Sequence, residues 1–243
     1  MVEKLEGDGG RFTPEQLEAA IRPGGDANRY APRSRLVSVE QTTNIAGGRL
    51  WPLEQVQGVL GVARENGLRA HLDGARLMNA VVASAVPAAE WASGFDTAWI
   101  DFTKGLGAPV GAVLAGSAEL IEHAWRWKQG LGGAMRQAGV LAAACLHALD
   151  NHVERLAEDH ENARWLAEAL AELPGVDLDP ETVDSNIVIF GVPDTGALLG
   201  ALAEADVEMS PMDATHVRAV THMDVGRAGV ERAAAAVREA LAA

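Results

Sequence analysis

The chain has 243 residues, 48% hydrophobic and 22% charged, a balance that supports a sizeable packed core and excludes a disordered polypeptide. Acidic residues outnumber basic ones 34 to 20, and the net charge of -14 excludes nucleic acid and anionic lipid as natural partners. A single cysteine, Cys145, excludes an intrachain disulfide framework, and no apolar stretch reaches the roughly 18 residues of a membrane span, so a cytoplasmic protein is expected.

In chain order, Thr13-Pro14-Glu15-Gln16 opens a helix with a capping box, Pro14 taking the first helical position. Residues 35–40 are rich in β-branched and apolar side chains and predict a strand. A helix follows from Pro52 to about Asn66, then strands at 68–73, 97–102 and 110–115. This alternation of strand and helix predicts an α/β fold with a mostly parallel sheet. From Ser117 the pattern is helical, broken at 130–133. A long stretch rich in Ala, Leu, Glu and Arg then runs from Met135 to about Leu173, with Cys145 read as core packing. The tail predicts strand 186–192, helix 195–205, strand 217–221 and helix 226–242, a small α+β unit. The expected boundary falls inside the long helix, giving a large domain over residues 1–142 and a small one over 143–243.

Three segments place reactive groups near strand ends. In His71-Leu-Asp-Gly-Ala-Arg76 an acidic residue leaves the carboxyl end of a strand, where open α/β sheets bind ligands. Asp73 could pair there with a ring nitrogen, a metal or Arg76, or could simply cap a helix. In Ile100-Asp-Phe-Thr-Lys-Gly-Leu-Gly-Ala-Pro109 the lysine runs straight into a glycine-rich turn. Only Lys4, Lys104 and Lys128 are lysines, against 17 arginines. A lysine kept in this setting is read as wanted for its amine, which arginine cannot replace in Schiff-base chemistry. In Leu131-Gly-Gly-Ala-Met-Arg-Gln137 a glycine-rich loop opens a helix, an arrangement that favours anions. Among the carboxylates and histidines no cluster has metal-ligand spacing, so no metal is expected.

An aspartate at one strand end and a lysine at the next resemble the fold-type I enzymes that use pyridoxal 5′-phosphate (PLP). The segments Glu40-Gln-Thr-Thr-Asn44, Gly47-Gly48, His71–Arg76, Thr103–Gly111, Leu131–Gln137, Glu158-Asp-His160, Ser185-Asn186 and Arg218-Ala-Val-Thr-His222 resemble the low-specificity L-threonine aldolases of the β-eliminating lyase family. The resemblance implies a fold-type I large domain, truncated at its N-terminus, and a small C-terminal α+β domain. It implies Lys104 as the Schiff-base lysine and Asp73 as the partner of the protonated pyridine nitrogen. It implies Arg76 and Arg218 as the clamp on the substrate carboxylate, and Arg136 as a phosphate contact reaching over from a neighbouring subunit. Thr103 stands where the family often has serine.

The implied reaction is cleavage of L-threonine- or allo-threonine-like β-hydroxy-α-amino acids to glycine and an aldehyde. Thr43 replaces a family histidine, a second family histidine falls at Tyr30 or Asn28, and Gln129 stands where a second phosphate-side cation is common. The resemblance also places a phosphate-cradling segment ahead of residue 1. The expectation is therefore a homo-oligomer, or a complementary N-terminal polypeptide, with the missing segment needed for full activity. β-Elimination or racemisation on the same scaffold, and a non-catalytic partner subunit, stay open.

Overall fold

The structure, a computed structural model, describes residues 2–22, Tyr30 and residues 32–242. Its first sheet has four strands in the order β1 (Leu36–Glu40), β2 (Arg69–Gly74), β3 (Thr97–Asp101) and β4 (Ala112–Gly116). The first three are parallel, as predicted, and β4 is antiparallel to β3. The reversal follows from chain length. Parallel neighbours need a crossover of about a dozen residues or more, and the turn between Asp101 and Ala112 is shorter.

Helices α1 (Pro14–Ala20) and α2 (Leu53–Glu65) flank β1 in the chain, and α3 (Leu77–Ser84) and α4 (Ala88–Ala92) follow β2. The capping box of α1 forms as predicted: Thr13 accepts from the Gln16 N–H while the Gln16 side chain accepts from the Thr13 N–H. Val37 and Val39 of β1, Ala70 and Leu72 of β2, and Ala98 of β3 point to one face of the sheet. They pack with Val56, Val59 and Leu60 of α2 and Leu77 of α3 into the first core. Strand side chains alternate, so Glu40, Asp73, Trp99 and Asp101 stand on the opposite face.

The long helical stretch divides. Helix α5 (Ala118–Gly130) is followed by α6 (Gly139–Asn151) and α7 (Leu156–Ala171), where one helix was predicted from Met135. No Gly or Pro marks the break at 152–155. It is tertiary in origin: the His152 ring bonds the Leu106 carbonyl at 2.6 Å, and Leu156 is fully buried with Phe102, Leu106 and Ala108 in a second cluster. Cys145 is only partly buried against this cluster.

A second sheet, β5 (Ile187–Gly191), β7 (His216–Val220) and β6 (Ser210–Pro211) in spatial order, is antiparallel. Helices α7, α8 (Thr195–Glu204) and α9 (Arg227–Ala242) pack on it through Leu166, Leu170, Leu198, Leu202, Val230 and Val237. No helix among the described residues is long and apolar enough to cross a membrane.

Candidate active site

The carboxyl ends of β1, β2 and β3 converge on one set of charged side chains. Glu40 lies in register with Asp73, and Asp73 with Trp99, two residues before Asp101 on the same face. Asp73 Oδ1 accepts from the Ala75 N–H at 3.1 Å. Gly74 is required here because the strands approach closely: a Cβ would sit 2.1 Å from the Trp99 carbonyl oxygen. Beyond β3 the chain doubles back, so that Lys104 Nζ lies 2.9 Å from Asp101 Oδ2 and 5.3 Å from the centroid of the Trp99 ring. The Thr103 N–H and hydroxyl both donate to Asp101 Oδ1 at 2.7 Å. Burial is the largest single influence on the Asp101 carboxyl and would raise its pKa. The bonds from Lys104 and Thr103 together outweigh it and hold the pKa below the ordinary value.

The two arginines arrive from opposite ends of the chain. Arg76 Nη1 and Arg218 Nη2 donate to the same acceptor, Asn44 Oδ1, at 3.1 and 2.8 Å. Asn44 is itself placed by its N–H, which donates to Glu40 Oε2 at 2.9 Å. The loop after it is joined to the start of β5: Ser185 donates to the Gly48 carbonyl at 2.7 Å, and Arg49 pairs with Asp184 at 2.9 Å. Burial lowers the pKa of Arg76, and the nearby Arg218 lowers it further, but guanidinium stays charged across the physiological range. Arg218 Nε is buried with no hydrogen-bond partner among the described residues. Burial raises the Glu40 pKa, opposed by the Asn44 N–H and reinforced by Asp73.

The structure thus brings Asp73, Lys104, Arg76 and Arg218 together around Glu40, Asn44 and Asp101. Thr103 is exposed and serves Asp101, whereas Arg136 lies in a fully exposed run between α5 and α6. Thr43 is buried, and its hydroxyl donates to the Gly9 carbonyl at 3.0 Å, which makes it structural. Tyr30 is almost wholly exposed, and Asn28 lies outside the described residues. Sequence reasoning gave no role to Glu40, Asn44 or Asp101. For Asp101 the available signal was a carboxylate three residues before a lysine at a strand end.

A model of the family described as "Beta-eliminating lyase" matches residues 1–192. The chain belongs to the β-eliminating lyase family. It is 41% identical over 237 residues to the low specificity L-threonine aldolase of Escherichia coli (strain K12), covering 96% of this chain and 67% of that protein. It is 33% identical to low-specificity L-threonine aldolase 1 of Arabidopsis thaliana, covering 96% of this chain and 66% of the plant protein. The solved threonine aldolase of Leishmania major superposes with a TM-score of 0.77 at 20% identity, over 97% of this chain and 69% of that one, which shows the shared fold. The family member described here therefore spans about two thirds of these relatives' length.

Proposed function

We propose that this chain is the lysine-bearing part of a PLP-dependent aldehyde-lyase. Its substrates are L-threonine, L-allo-threonine and similar β-hydroxy-α-amino acids, cleaved to glycine and an aldehyde. The observation that carries this reading is the meeting of carboxylates and an amine at the ends of neighbouring strands with two guanidinium groups, Arg76 after β2 and Arg218 from β7 of the second sheet. Those groups suit the cofactor: Lys104 offers an amine to its aldehyde carbon, and Asp73 a carboxylate to its ring nitrogen. PLP bound there supplies an electron sink for the pair released when the Cα–Cβ bond breaks.

The remaining work belongs to the chain's own side chains. Arg76 and Arg218 hold the substrate carboxylate with N–H donors that Asn44 leaves free, while Asn44 Oδ1 keeps the two guanidinium groups converged. This fixes the orientation of the bonds at Cα, the main contribution of positioning to such a reaction. Asp73 keeps a proton on the ring nitrogen. Asp101 holds Lys104 Nζ until the cofactor arrives.

The proposal includes a division of labour between residues 1–142 and 143–243, supported by the two sheets with separate cores. It includes a homo-oligomer in which Arg136 reaches the cofactor phosphate of a neighbouring copy, supported by the exposure of the α5–α6 surface. The proposal also includes a complementary polypeptide supplying the rest of the relatives' length and needed for full turnover, supported by the two-thirds coverage of those relatives. A cytoplasmic setting, compatible with the unpaired Cys145, is also part of it.

Product analysis tests the reaction. The chain, supplied with PLP and the part of its relatives that it does not span, is expected to release glycine and acetaldehyde from L-threonine and L-allo-threonine. Formation of D-threonine or a keto acid instead of glycine would assign racemisation or elimination and overturn the aldolase reading.

A further inference from the structure

We propose that His222 is a positioning residue for Lys104, fixing the backbone of the lysine turn to the strand that carries Arg218. The inference rests on the reading of Lys104 as the cofactor lysine. The Lys104 carbonyl accepts two hydrogen bonds, from the Gly107 N–H at 2.8 Å within the turn and from His222 Nε2 at 3.1 Å outside it. A peptide carbonyl only accepts, so Nε2 carries the proton. Nδ1 then faces Asp224, with Oδ2 at 3.0 Å and the backbone N–H at 3.3 Å. It can accept from that N–H when the ring is neutral, or donate to the carboxylate when it is charged. The Lys104 contact survives in both states.

The neighbouring side chain closes on the same turn. Gly107 has φ +67°, and a Cβ there would lie 2.2 Å from Met223 Sδ, so Met223 lies directly on the turn. The segment bearing both residues is itself anchored. The Thr221 hydroxyl donates to the Asp159 carbonyl at 2.6 Å and its N–H to the Asn186 carbonyl at 3.0 Å. Arg218 stands four residues before His222 in the chain, on β7. One strand and its following turn therefore bear both a donor for the substrate carboxylate and a grip on the lysine. A lysine amine rides on a flexible four-carbon stem. Holding its carbonyl narrows the volume that Nζ sweeps and sets that volume relative to the arginine.

The test compares the full chain with His222→Leu, His222→Phe and His222→Gln. Gln can place an amide N–H near the position of Nε2, whereas Leu and Phe have no donor. Two readouts are taken: amide hydrogen exchange over residues 103–108 in the cofactor-free chain, and the rate at which Lys104 captures PLP, stopped with borohydride and mapped by peptide. The loss of one net hydrogen bond predicts exchange faster by about tenfold in the Leu and Phe variants. Capture at Lys104 is expected to slow while labelling of Lys4 and Lys128 stays constant, and Gln is expected to restore both. Wild-type exchange or wild-type capture in His222→Leu and His222→Phe overturns the inference, as does a Gln variant that behaves like Leu. If the wild-type chain labels Lys4 or Lys128 but not Lys104, the cofactor reading falls first and this inference with it.

Discussion

Asn44 is the smallest unit in which the site can be understood, because one amide oxygen gathers two guanidinium groups that the sequence places 32 and 174 residues away from it. An acceptor between two like charges does what a substrate carboxylate would do, with one negative charge fewer. Substituting Asn44 with Ala removes that acceptor and leaves the arginines to repel each other. We expect amino-acid affinity to fall about tenfold or more, since charge-assisted hydrogen bonds are worth about 1.5–3 kcal/mol each. Arg218→Lys keeps the charge and loses the fork, so affinity for threonine should fall while PLP capture is unchanged. Calorimetric titration with threonine checks both, and PLP loss without any substrate effect would make these arginines phosphate ligands instead. Asp73→Asn is expected to leave a folded protein whose turnover is lower by about 100-fold or more, an electrostatic loss of the size seen when one preorganised charge is removed from an active site. Asp73, Arg76 and Lys104 stood out in the sequence at strand ends or beside glycine-rich turns, whereas Arg218, in the middle of β7, was reached only through the family resemblance. Asn44 was visible within its motif, but its role was not, because its partners are joined only by the folded topology.

At the scale of elements, the periodic segments were the legible ones: the ends of β1, β2, β3, α2 and α8 fall within a residue or two of expectation. What stayed hidden depends on contacts between elements. The α6–α7 break comes from His152 and Leu156, which carry no helix-stop signal of their own. Deleting most of the buried Leu156 side chain by Leu156→Ala should cost about 2–5 kcal/mol and loosen the lysine turn beside it, measured by urea unfolding. The α3–α7 contact contains a part-buried polar pair, with Asn79 Nδ2 3.1 Å from His160 Nε2. Burial, and the nearby Arg164, lower the His160 pKa to about 4. The unfolded chain, with an ordinary histidine near 6.5, binds more protons between those values. His160 therefore contributes stability that is complete above pH 6.5 and is lost as pH falls towards 4, on the order of 3 kcal/mol in total. Urea midpoints across that window should fall more steeply in the wild-type chain than in His160→Gln. Parallel slopes would remove His160 as the cause.

The whole molecule is asymmetric in what it covers. One face of the first sheet is packed under helices, while the face bearing His71, Thr97 and Leu114 borders an open groove of about 850 Å³. Farther along, α5 has no buried residue, and Trp127, Leu131 and Val140 are 72%, 80% and 81% exposed. The proposed homo-oligomer would cover these exposed apolar side chains. The chain is expected to elute well above its 25.5 kDa monomer mass and to move towards it when Trp127 and Val140 are replaced by Glu. A wild-type monomer would refute that. Such a face could not be read from a composition whose apolar fraction is ordinary, because composition does not say which apolar residues the fold leaves outside. The central claim, that Lys104 is the cofactor lysine, has its most direct test in borohydride reduction of the chain with one equivalent of PLP, followed by peptide mapping. The account predicts a phosphopyridoxyl group concentrated on Lys104 and lost in Lys104→Arg. Equal labelling of Lys4 and Lys128, or none at Lys104, would contradict it.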